Sequence, residues 1–210
     1  MTRLLLTLTI AMAGLWAQAE DVKYKVTFKG HFSETTHPRD NFPGNPHFSP
    51  VNFAVHTSEY NLFNKFSFST PGMKNVAETG NPRDMQAELQ QVANLGVIKE
   101  FGRTSPFDGL EEVSFELTAT KTHYHISMVS MIAPSPDWIV GINKLSLKAN
   151  GYFIDKLEVP LFALDAGTDS GEDYTSRNKQ TVPAQPITKL ESVLGVPSVI
   201  PYAIVTIEKM

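Results

Sequence analysis

The chain has 210 residues, 18 basic against 22 acidic side chains for a net charge of −4, and no cysteine. That charge balance excludes an overall field that attracts nucleic acid or anionic lipid, and a hydrophobic content of 41% excludes wholesale disorder. Without cysteine there is neither a disulfide framework nor a thiolate nucleophile, so stability rests on a buried core, with a bound metal as the one further source.

The N-terminus carries Arg3, then an apolar run from Leu4 to Trp16, then Ala17-Gln18-Ala19 and the acidic Glu20-Asp21. That order predicts a secretory signal peptide over residues 1–19, cleaved after Ala19, with residues 20–210 forming one exported domain in a periplasm or outside the cell. The run is too short to cross a bilayer comfortably, and no later segment is long and apolar enough to do so.

Tyr24, Val26 and Phe28 alternate with Lys25, Thr27 and Lys29, a half-buried strand closed by Gly30. From His31 to Pro50 four prolines argue for an extended loop lying on the domain. Residues 51–55 read as a short strand. Leu62, Phe63, Phe66 and Phe68 form an aromatic cluster expected in the core. Residues 75–80 and 84–95 read as helices, with Met85, Leu89 and Val92 on one face and Gly96 as the stop. Over 111–118, Val113, Phe115 and Leu117 face one way and Glu112, Ser114, Glu116 and Thr118 the other. Residues 124–131 read as a strand buried on both faces, and further short strands are expected over 138–142, 144–148, 152–159 and 203–208. The fold class is therefore mainly β, an antiparallel sandwich or barrel with one small helical insertion.

Three stretches go beyond patterning: APSPDWIVGI over 133–142, LDAGTDSG over 164–171, and the opening YKVTF over 24–28 with HTSEY over 56–60. PSPDW followed by DAGTDSG resembles the spondin domain family, known from F-spondin and mindin, over essentially the whole chain after the leader. The absence of cysteine resembles stand-alone bacterial members more than animal ones. The resemblance implies a C2-like antiparallel β-sandwich with one bound Ca2+. Its carboxylates would be Asp137 of PSPDW, Asp165 of DAGTDSG and a glutamate on the strand before the PSPDW hairpin, matched by Glu116 with Glu112 as the alternative. Asp169 is assigned to bracing the loop.

The residue chemistry agrees with a hard cation, which takes six to eight oxygens from carboxylates, carbonyls and waters. Pro134 and Pro136 stiffen the approach to Asp137, Trp138 anchors it, and Gly167 and Gly171 permit tight turning. Zinc fits poorly: it favours clustered Cys and His, and His123 and His125 read as half-exposed strand histidines. The expected function is a calcium-dependent adhesion or recognition module for a protein or glycan surface, not an enzyme. The alternatives are a glycan hydrolase using paired carboxylates such as Asp165 and Asp169, or an envelope protein that calcium only stabilises.

Overall fold

A computed structural model describes residues 21–38, 42–190, 192–193, 196–197 and 199–210, and the expected signal peptide lies outside them. In chain order the elements are β1 (Val22–Gly30), β2 (His47–Phe48), β3 (Asn52–His56), α1 (Pro71–Thr79), α2 (Arg83–Ala93), β4 (Ile98–Arg103), β5 (Phe107–Asp108), β6 (Glu112–Ala119), β7 (His125–Ala133), β8 (Trp138–Ser146), β9 (Lys148–Ala149), β10 (Tyr152–Phe153), β11 (Lys156–Leu161), β12 (Leu164–Asp165), β13 (Thr188–Lys189), β14 (Ser192–Val193), β15 (Val196–Pro197) and β16 (Ala203–Lys209). The two-residue strands β2, β5, β12 and β13 are too short to show a period, which is why the sequence pattern does not reveal them.

One sheet has the order β11-β16-β1-β6, with every pairing antiparallel. The larger sheet runs β13-β12-β8-β7-β2-β5, with β3 joining β7 and β4 joining β3. The alternation of β1 does what its spacing predicts: Tyr24, Val26 and Phe28 are buried, Lys23, Lys25 and Lys29 are exposed, and Thr27 is half-buried. These residues meet Phe48, Ile126, Met128, Ile132 and Val140 of the second sheet in one core. Phe28 packs edge-on against Phe48 and Phe107, with ring centroids 5.3 and 5.4 Å away. Phe53 of β3 stacks on Phe115 of β6 across the sandwich at 4.0 Å. Each such ring contributes roughly 1.5–3 kcal/mol through burial.

Strand β7 is buried along its whole length, as its loosened alternation predicts, with His125, Ser127 and Ser130 buried among its apolar residues. Its second face is covered by the helical insertion, where Val129 joins Ala54, Met73, Val76, Met85 and Leu89 in a separate cluster. Helix α1 starts earlier than its periodicity suggests because Thr70 caps it, its Oγ1 accepting the Met73 amide at 3.1 Å, and Pro71 follows. Gly80 ends it at φ 68°.

Three expectations change. The single strand expected over 152–159 is two, β10 paired with β9 and β11 paired with β16. Leu62 and Phe63 are buried, but Phe66 and Phe68 are 81% and 63% exposed. Phe66 sits at φ 68°, and its amide donates to the Ile187 carbonyl at 2.8 Å, a turn that carries the rings outward. The segments 138–142 and 144–148, read as separate, form a single strand to Ser146, with a register shift in its pairing to β7 and Lys144 at φ 50°.

Candidate metal centre

The turn joining β7 to β8 delivers Asp137 to one end of the larger sheet. Strand β12 pairs with β8 so that Asp165 lies opposite Trp138, and the Ala166 amide donates to the Asp137 carbonyl at 3.2 Å. The two aspartates named from the sequence therefore come together although 27 residues separate them in the chain. Trp138 is buried and packs edge-on against Tyr174 at 5.2 Å. Its amide donates to Ser135 Oγ at 3.0 Å, holding the PSPDW turn closed.

Asp137 is fully buried. Its Oδ2 accepts the amides of Thr168 and Asp169 at 2.7 and 3.0 Å and the Thr168 hydroxyl at 3.2 Å. Its Oδ1 is buried with no hydrogen-bond partner among the described residues. Burial first, and then the Asp165 charge, pushes the carboxyl up to about 6 against the pull of the Thr168 and Asp169 donors. Asp165 is raised as well, by burial and by the Asp169 charge, while the Gly167 amide, donating to Oδ1 at 2.7 Å, opposes the rise.

Asp169 braces the loop as assigned: Oδ1 accepts the Gly171 amide and Oδ2 the Lys179 amide, each at 2.7 Å. Gly167 stands at φ 73°, and a β-carbon there would lie 2.0 Å from the Gln185 carbonyl oxygen. Asp165, Gly167, Asp169, Ser170 and Gln185 line an open depression of about 340 Å³.

Glu116 is not brought to this rim. It lies in β6, exposed, opposite Lys25 of β1, on the outer face of the four-stranded sheet. Glu112 is likewise exposed, opposite Lys29. The alternation that buries Leu117 and partly buries Phe115 turns both glutamates away from the sandwich. Among the described residues no three His, Cys, Asp or Glu side chains form a ready metal cage.

His123 precedes β7, and its Nε2 meets the Gly96 carbonyl at 2.9 Å. His125 stacks on His56 at 6.0 Å. His56 Nε2 meets Ser127 Oγ at 2.8 Å, but both residues are wholly buried, so the pair is a core hydrogen bond without access to a substrate.

The Spondin_N family model matches residues 22–199. The chain belongs to the spondin N-terminal domain family. It is 36% identical to Spondin-1 of Homo sapiens over 178 residues, 81% of this chain and 22% of that protein. Against Spondin-1 of Gallus gallus it is 37% identical over 179 residues, and against Spondin-2 of Homo sapiens 30% identical over 174 residues. This spondin domain thus spans about a fifth of the length of Spondin-1 and about half of Spondin-2. Among the described residues no helix is long and apolar enough to cross a membrane.

Proposed function

We propose that this spondin domain is an exported, non-enzymatic recognition module for a protein or glycan surface, and that its rim holds one calcium ion. Asp137 and Asp165 would bind the ion. Asp169, whose charge lies beside Asp165, would supply the third carboxylate in place of Glu116. One observation carries this reading: a buried carboxylate oxygen of Asp137 with no hydrogen-bond partner among the described residues, next to a second raised carboxylate. Such an arrangement is costly when empty of counter-charge, and a divalent cation would relieve both the missing bond and the repulsion. The donor set is all oxygen, which suits calcium over zinc. An oxygen already accepting an amide retains a second lone pair for a metal.

The test is calorimetric titration of the chelator-treated domain with calcium, alongside Asp137→Asn and Asp165→Asn. One saturable site lost in both variants is the expected result. Undiminished binding in Asp137→Asn refutes the assignment.

A further inference from the structure

Among the described residues, the larger sheet has an unfinished edge. Strand β7 flanks β8 on one side along most of its length, but on the other side β12 pairs only with Trp138 and Ile139. From Val140 onward, no described strand is hydrogen-bonded to that side of β8. Across from it stands β11, which pairs only with β16. Between them runs a groove of about 510 Å³. Its apolar surface includes Ile142, Leu145, Val159 and Phe162, and its charged lining residues are Lys65 and Lys189, with no acidic side chain. Neither lysine has a carboxylate partner among the described residues. Lys189 Nζ lies 6.0 Å from the Phe162 ring centroid, at the groove itself.

Free strand edges are usually blunted, because their unpaired amides and carbonyls template another strand. On β11 the groove side is blunted by Pro160, which has no amide hydrogen. On β8 the bend at Lys144 limits the template to its first part. That leaves Val140 to Asn143 as the usable stretch. Asn143 holds the floor steady, its Oδ1 accepting the Leu62 and Phe63 amides at 2.9 and 3.3 Å.

We infer that this groove docks an extended acidic peptide segment of a partner protein, which adds to β8 as a further strand. The backbone edge supplies main-chain hydrogen bonds, the apolar lining takes every second side chain, and the two lysines select carboxylates. This deepens the recognition reading by naming the surface and the partner's chemistry, and it makes no use of Asp137 or Asp165.

The experiment uses fluorescein-labelled acetyl-EVEVEVE-amide, with acetyl-KVKVKVK-amide and sodium oleate as competing chemistries. Binding is followed by anisotropy at low salt and mapped by amide chemical shifts. Calcium binding is measured separately by calorimetry, so the two readings stand or fall independently. The expected result is saturable binding of the acidic peptide, shifts and slowed exchange centred on Val140 to Asn143, and affinity at least about fivefold weaker in Lys65→Glu/Lys189→Glu. Both lysines are exposed, so the double variant is expected to fold, and its melting curve verifies that. No saturable acidic-peptide binding, binding unaffected by the charge reversal, shifts centred elsewhere, or tighter binding of oleate than of any peptide would each overturn the inference.

Discussion

Replacing Asp137 by asparagine separates the cost of the buried charge from the value of a bound cation. Moving this carboxyl from 3.8 to about 6 corresponds to at most ~3 kcal/mol. Because the folded value is raised, that stability is fully present below pH 3.8 and is lost as pH rises through about 6. Asparagine keeps one acceptor oxygen for the Thr168 and Asp169 amides and replaces the partnerless Oδ1 by a donor. In chelator at pH 7 the variant should therefore be more stable than the parent by up to ~3 kcal/mol. For a domain of this size that is roughly 6–12 °C in melting temperature. The advantage should vanish below pH 4. Calcium at 100 times its dissociation constant should return about 2.7 kcal/mol to the parent and nothing to the variant. Thermal melts at pH 7 and pH 3.5, with chelator and with calcium, measure all four quantities. A variant that is less stable than the parent at pH 7 in chelator, or one that calcium stabilises equally, refutes the reasoning.

Glu116→Gln should leave calcium affinity unchanged and stability within about 0.5 kcal/mol, because the side chain is exposed on the far sheet; calorimetry and urea melts check both. Gly167→Ala should cost roughly 1–3 kcal/mol from the left-handed backbone alone, and more from the contact with the Gln185 carbonyl, read as a lowered urea midpoint. Phe28→Ala should cost about 3–5 kcal/mol, whereas Phe66→Ser should stay within about 0.5 kcal/mol, a contrast that denaturation measures directly. Burial lowers His37 and His56 to about 4. Their contribution is then complete above about 6.5 and lost as pH falls toward 4. Imidazole NMR titration should find both rings neutral at pH 5, and a midpoint near 6.5 for either would contradict their burial.

Much of the architecture was legible because the strictness of alternation reports directly on which faces of a strand are covered. The spacing of β1 named Tyr24, Val26 and Phe28 as core, and the loosened alternation over 124–131 announced a strand buried on both sides. Glu116 was carried over from the family resemblance although the same alternation that placed Leu117 in the core turns it outward, where it stands exposed opposite Lys25 of β1. Phe66 and Phe68 looked like core because aromatic content carries no information about a turn at positive φ.

By itself the sequence determined the mainly β class, the helical insertion and the family, and it named Asp137 and Asp165 as candidates, since local periodicity and short motifs are written in consecutive residues. Only the tertiary structure decided that, among the described residues, one Asp137 oxygen lacks a partner and β8 keeps a free edge above an apolar groove. Those features depend on the register between strands distant in the chain, and a pattern of period two says which face a residue occupies without saying what lies across from it.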